Sequence, residues 1–300
     1  MLDYPKAVRR FYDLRDGRIS AVHYGLSSNP VKLVFANANG FNALSYKAVL
    51  EPLGVHAIAL DMRGQGMSEL PYDPKGLKNW HVFRDDIAEF VTRYVDNPVV
   101  VAGHSFGAVS AILAAPLLKD KMSGYVGFDP VALPRIYGQV SQLPGARALM
   151  KRFFPLASKT GKRKAHFESF EAAFNRLKGR GAFQGLRDEV LINYLEGGTV
   201  ADNGGVRLTC DPLWEQAIFV AQGHNLYKAA KALPIANSHI TFAGKYGAVS
   251  ADSTRKFFND LLGPKSITYN ENLTHMFPLQ ETEYATACLK DVISKIALSS

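Results

Sequence analysis

An α/β fold, built on a mostly parallel, doubly wound sheet with an inserted helical cap, follows from three features of this 300-residue chain. Short apolar runs alternate with segments of helical periodicity, the pattern of a parallel sheet covered on both faces. One run, Pro98-Val99-Val100-Val101-Ala102, leads straight into Gly103-His104-Ser105-Phe106-Gly107 and then into the helix-prone stretch Ala108 to Ala115. Between Val131 and Pro234 the alternation stops, so this stretch should stand apart from the sheet. The expected organisation is a core of residues 1–130 and 235–300 with a helical insertion over residues 131–234.

Ile19 to Tyr24, Val31 to Ala36, His56 to Leu60 and Pro98 to Gly103 read as strands rich in branched and apolar residues, as do Tyr125 to Phe128, Ile240 to Ala243 and Ser266 to Tyr269. Trp80, Phe83, Ile87, Phe90, Val91 and Tyr94 recur at helical spacing, and Tyr284, Cys288, Val292 and Ile296 do so near the end. The insertion is punctuated by Pro144-Gly145, Lys178-Gly179-Arg180-Gly181, Gly197-Gly198 and Asn203-Gly204-Gly205. Its aromatic residues, among them Phe167, Phe170, Phe174, Phe183, Tyr194, Trp214, Phe219 and Tyr227, supply its own core, with a few left to line a pocket.

The chain carries a formal net charge of +8 and 47% hydrophobic residues, enough to bury a large core. The excess charge is concentrated: Arg135, Arg147, Lys151, Arg152, Lys159, Lys162, Arg163, Lys164, Arg176, Lys178, Arg180 and Arg187 face only Glu168 and Glu171 between Val131 and Arg187. Without a nucleic-acid motif beside it, this segment reads as a solvated face or as a patch for anionic substrates, an acyl carrier or an acidic lipid surface. Cys210 and Cys288 lie far apart in sequence, so neither a disulfide framework nor a thiolate metal site is expected, and Cys288 falls on the apolar stripe of the last helix. Met1 to Lys6 is charged and lacks the apolar stretch of a signal peptide, which argues for the cytoplasm. Pro98 to Leu118 is long enough to imitate a membrane span but contains the strand-to-helix turn, so no integral membrane segment is expected.

G-x-S-x-G between a buried strand and a small-residue helix reads as a nucleophile elbow, a turn that lifts the Ser105 hydroxyl to the rim of a sheet. Side chains in place of Gly103 and Gly107 would collide with the departing helix and the incoming strand. The helix start also aims free N–H groups at the same spot, where they favour negative charge developing on a substrate oxygen. Three further motifs stand in matching order: Phe35-Ala36-Asn37-Ala38-Asn39-Gly40-Phe41, Asp61-Met62-Arg63-Gly64-Gln65-Gly66-Met67-Ser68, and Thr274-His275-Met276-Phe277-Pro278-Leu279. With them the chain resembles the α/β-hydrolases of the single-serine kind with a helical cap. The resemblance implies acyl or related hydrolysis by Ser, acid and His in that chain order, without a cofactor, on a small-molecule acyl substrate.

On this resemblance Ser105 is the nucleophile and His275 the general base. The backbone N–H groups of Phe41 and Phe106 are expected to form the oxyanion hole, each worth on the order of 3 kcal/mol. Asn37 stands where this branch often has histidine, which changes the hydrogen bonding that steadies the loop. Asn39, Gly40, His104 and Trp214 are expected to border the substrate, with the His104 side chain turned away from the pocket. The usual place for the acid, Gly244 to Ser250, holds no carboxylate. Asp129, in Phe128-Asp129-Pro130, is therefore favoured, with Asp252 after an N-cap at Ser250 as the alternative. Asp61 should brace the turn containing Arg63, Asp86 should face outward, and His166 and His224 should at best touch substrate. A carboxylic-ester hydrolase leads. A thioesterase or acyltransferase, a cofactor-free perhydrolase or carbon-carbon hydrolase, and a non-catalytic ligand sensor on the same fold stay open.

Overall fold

The computed structural model describes residues 7–134, 139–141, 143, 145–153, 155–245, 247–248 and 252–299. Met1 to Lys6, Arg135, Pro144 and Ser250 lie outside them. Eleven strands are described: β1 (Val8–Leu14), β2 (Gly17–Tyr24), β3 (Val31–Ala36), β4 (His56–Leu60), β5 (Val99–His104), β6 (Met122–Phe128), β7 (His166–Phe167), β8 (Thr199–Asp202), β9 (Gly205–Leu208), β10 (Ser238–Lys245) and β11 (Ile267–Thr274). Eight form one sheet in the order β1-β2-β4-β3-β5-β6-β10-β11. The pairings from β4 across to β11 are parallel, while β1 and β2 are antiparallel additions at one edge.

The central strands bury both faces, which is why their sequences do not alternate: every residue of β5 is buried. One face packs against the helices His81–Tyr94 and Phe106–Leu118 through Trp80, Phe83, Phe90, Phe106 and Ile112. The other packs against the last helix, Thr282–Ser299, through Ala285, Leu289 and Val292. β1 escaped the sequence reading because it is a half-exposed edge strand carrying Arg9 and Arg10, and a charged edge lacks an apolar pattern. Pairing Ala36 with Gly103 and Gly103 with Gly127 brings β3, β5 and β6 to the same level at their C-terminal ends.

Among the described residues, 131–234 contribute no strand to that sheet. They are not wholly helical. β7, β9 and β8 form a small antiparallel sheet in that order, and Asn203 and Gly204, at φ 45° and 80°, make the tight turn between β8 and β9. Asn-Gly with both residues at positive φ is a strong hairpin signal, so this punctuation of the insertion is a hairpin turn between two strands. The segment touches the core on loops that leave strand ends: Trp214 Nε1 donates to the Arg63 carbonyl at 2.8 Å, and Asn42 Nδ2 to the Tyr194 carbonyl at 2.8 Å.

Candidate active site

Ser105, Asp129 and His275 are each the first residue after a parallel strand: β5, β6 and β11. The level strand ends therefore bring together side chains far apart in sequence. His275 Nε2 lies 2.9 Å from Ser105 Oγ, and its Nδ1 lies 2.6 Å from Asp129 Oδ2. The Asp129 side chain is fully buried and that of His275 is 27% exposed. Asp129 also accepts from Ala243 N at 3.0 Å and Ala248 N at 2.8 Å, so its buried oxygens are held in place by backbone donors. Asp252 opens the helix Asp252–Leu262, its side chain 91% exposed and paired with Arg255, away from His275.

Ser105 sits at φ 58°, a strained conformation for a non-glycine residue, and Asp129 at φ 42°. Close packing enforces the turn. A Cβ on Gly103 would come within 2.5 Å of the Gly107 carbonyl carbon, and one on Gly107 within 2.2 Å of the Ala36 oxygen. Phe106 is the first residue of its helix, so its N–H has no intrahelical acceptor and stands beside Ser105.

Across from it, the loop after β3 differs from expectation. Phe41 N–H donates to the Ala38 carbonyl at 3.1 Å, closing a turn with Gly40 at φ 81°, and is not free for a substrate oxygen. Ala38 N–H donates to Tyr46 Oη at 3.1 Å and Gly40 N–H to Gln65 Oε1 at 3.1 Å. Asn39 N–H is the amide of Ala38 to Phe41 that has no acceptor among the described residues. Asn37 steadies the loop in place of histidine: Nδ2 donates to Gln65 Oε1 and the Phe41 carbonyl, and Oδ1 accepts from Met62 N.

His104, expected beside the substrate with its side chain turned away from the pocket, is fully buried with its ring facing the core. Its Nε2 lies 2.8 Å from the His275 carbonyl and its Nδ1 2.8 Å from Tyr46 Oη. The carbonyl can only accept, so Nε2 carries the proton and Nδ1 accepts from the tyrosine. Burial first, then the neighbouring His275, hold the His104 pKa well below the usual histidine range, keeping it neutral. A hydrogen-bonded line therefore runs from Ala38 N–H through Tyr46 and His104 to the His275 backbone, tying two rim loops beneath Ser105. Tyr46 carried no sequence signal beyond its aromatic character.

Trp214 also proves structural. It is 1% exposed, and besides its bond to Arg63 it packs against Phe83 and Tyr72, so it locks the insertion to the core instead of meeting substrate. Asp61 braces its turn by accepting from Met67 N. Asp86 faces inward: its carboxylate takes both Arg63 Nε and Nη2, at 2.9 and 2.7 Å. Helical spacing alone cannot show that an arginine waits on the buried side. His166 pairs with Asp202 beside the small sheet, and His224 stacks on Trp80, which in turn meets Phe106. A cavity of about 410 Å³ lies just after Asp129-Pro130, lined by Val131, Leu133, Gln222, His224, Asn225 and Tyr227 among others. The basic excess is partly consumed in pairs: Arg163 with Glu215, Lys178 with Asp188, and Arg187 with Glu283. Among the described residues no cluster of His, Cys, Asp or Glu could hold a metal ion, and no helix is long and apolar enough to cross a membrane.

A parallel sheet with a strained serine at one strand end and a histidine and carboxylate at two others defines the α/β-hydrolase class. The alpha/beta hydrolase family model matches residues 33–278, and the chain belongs to that family. It is similar to the esterase Rv0045c of Mycobacterium tuberculosis, 30% identical over 143 residues, which cover 46% of this chain and 47% of that protein. It is also 29% identical over 119 residues to a 2-(acetamidomethylene)succinate hydrolase of Mesorhizobium japonicum, covering 38% and 40% of the two chains. These matches span less than half the length of either relative. A crystal structure of E-2-(acetamidomethylene)succinate hydrolase superposes with a TM-score of 0.74 at 18% identity, over 96% of this chain and 100% of that one, a likeness of fold.

Proposed function

We propose that this chain hydrolyses carboxylic esters through an acyl-enzyme, with Ser105 as nucleophile, His275 as general base and Asp129 as the acid that orients it. The observation that carries the reading is the unbroken line from buried Asp129 through His275 to Ser105. His275 Nε2 takes the Ser105 proton as Oγ attacks the carbonyl carbon, and Asp129 stabilises the imidazolium that forms. The N–H groups of Phe106 and Asn39, in place of Phe41, receive the oxyanion. The protonated His275 then delivers its proton to the departing alcohol, and water, activated by the same base, releases the acid. Residues 131–234 act as the cap.

The test is labelling by a fluorophosphonate, followed by nitrophenyl esters and thioesters of graded acyl length. Ser105→Ala should abolish labelling and lower kcat by roughly 10⁶-fold with the fold intact. A variant that keeps a substantial rate would remove the serine mechanism, and a preference for thioesters would move the substrate class.

A further inference from the structure

Arg163 and Glu215 form a buried ion pair that no step of ester hydrolysis uses. Arg163 Nη2 lies 2.6 Å from Glu215 Oε2, with side chains 20% and 11% exposed. Glu215 sits on the helix Pro212–Val220, pressed onto the turn after β3. Its backbone carbonyl accepts from Asn39 Nδ2 at 3.0 Å, and its carboxylate fills the space beside Gly40, where a Cβ would stand 2.6 Å from Oε1. Arg163 also donates to Tyr194 Oη at 3.2 Å, and the Tyr194 ring packs on the Phe41 ring with centroids 5.2 Å apart. Two residues of the insertion, Glu215 and Tyr194, thus grip Asn39, Gly40 and Phe41 and are joined to each other through Arg163.

A bare carboxylate in this place would oppose catalysis. It would lie against the turn whose Asn39 N–H is to receive a negative oxygen, in a setting where water screens little. We propose that Arg163 and Glu215 are positioning residues for the oxyanion-binding turn: Glu215 props Asn39 and Gly40 in place, and Arg163 cancels the charge that this prop brings beside a developing oxyanion. The inference rests on the hydrolase reading above and on Asn39 as a donor. Burial holds the Glu215 carboxyl above the usual carboxylate range against the opposing pull of Arg163, and the other titratable groups around the pair are the Tyr194 phenol and the Cys210 thiol, with Asp211 beyond. Without Arg163, Glu215 would stay protonated in mild acid and become an uncompensated anion as pH rises.

The readout is the rate of fluorophosphonate labelling of Ser105, as a ratio to wild type, between pH 6 and pH 9. For Arg163→Met the ratio should fall by about tenfold across this range, because only the ionised Glu215 opposes the oxyanion. For Glu215→Gln and for the double variant the ratio should stay flat to within about threefold, whatever its absolute level. A flat ratio in Arg163→Met, or a double variant that falls as steeply, would overturn the proposal and leave the pair as packing. Should Arg163→Met not fold, Arg163→Lys carries the test: it keeps the charge, its ratio should be flat, and an alkaline loss would overturn the proposal. Absence of labelling in the wild type would instead remove the hydrolase reading, and this inference with it.

Discussion

His104 and His275 meet at the C-terminal ends of the parallel strands, their ring centroids 5.2 Å apart, and His23 and His56 meet toward the opposite end, 5.1 Å apart. In the second pair every ring nitrogen is engaged by a neutral partner. His56 Nδ1 lies 2.7 Å from the Asn29 carbonyl, His56 Nε2 lies 2.9 Å from His23 Nδ1, and His23 Nε2 lies 2.7 Å from Tyr12 Oη. Burial, then His56 and Arg10, push the His23 pKa down to about 4. At the other end His275 has a buried carboxylate on one nitrogen and a hydroxyl on the other. The residue type is the same, so proton-accepting capacity comes from the surroundings. Beside Ser105 the ring has a carboxylate to orient it, while at the other end burial, the neighbouring imidazole and Arg10 keep His23 uncharged.

The largest effect that could break this contrast is at Asp129. Asp129→Asn should lower kcat by about 10⁴-fold, the loss seen when a triad acid is neutralised and the imidazole takes the wrong tautomer. Asparagine tolerates positive φ and can keep one of the two backbone bonds, so the melting temperature should move little. Steady-state rates on a nitrophenyl ester check it, and a near-normal rate would leave His275 no better equipped than His23. A smaller effect is expected at His104. His104→Phe leaves the Tyr46 hydroxyl and the His275 carbonyl unsatisfied, at about 1–3 kcal/mol of stability for each buried group. It also frees the backbone of His275, so kcat should fall about tenfold or more with KM little changed. A loss confined to KM would show that His104 does not act through the base.

The smallest effect on activity, and the sharpest on stability, is expected at His23. Its folded pKa lies below its unfolded value, so the unfolded chain binds more protons between about pH 6.5 and 4. Stability from this group is complete above that window and is lost as pH falls through it, by about 3 kcal/mol in all. His23→Phe should flatten the slope of unfolding free energy against pH by that share while leaving the rate at neutral pH unchanged. Denaturant titrations at a series of pH values measure it. An unchanged slope would assign the proton uptake to the other depressed histidines, His81, His104, His224 and His239.

Much of the site was legible because its signals are local. A buried strand, two glycines that must lack side chains and a small-residue helix are consecutive in sequence, so the Ser105 turn could be read without knowing what lay across from it. His275 and Asp129 were singled out by their places after strands together with the family resemblance, and the structure sets them within hydrogen-bond reach of each other. The misreadings share another cause. Phe41 and Asn39 are two residues apart in one loop, and which N–H stays free was decided by Gly40 and by Tyr46 and Gln65 arriving from elsewhere. Trp214 resembled a pocket aromatic until Arg63 supplied a carbonyl for its indole.

The sequence by itself determined the order of the strands β2 to β6, β10 and β11, the elbow at Ser105, the places of Asp129 and His275 at strand ends, and the missing carboxylate between Gly244 and Ser250. Periodicity, glycine sterics and turn chemistry act over a few residues, and they are written where they act. The tertiary structure alone decided that Asp129 reaches His275 across 146 residues, that His104 bonds the His275 backbone, and that Glu215, paired with Arg163, packs against the turn after β3. Those outcomes depend on sheet register and on which buried polar groups find partners, and both are settled only when strands far apart in sequence lie side by side.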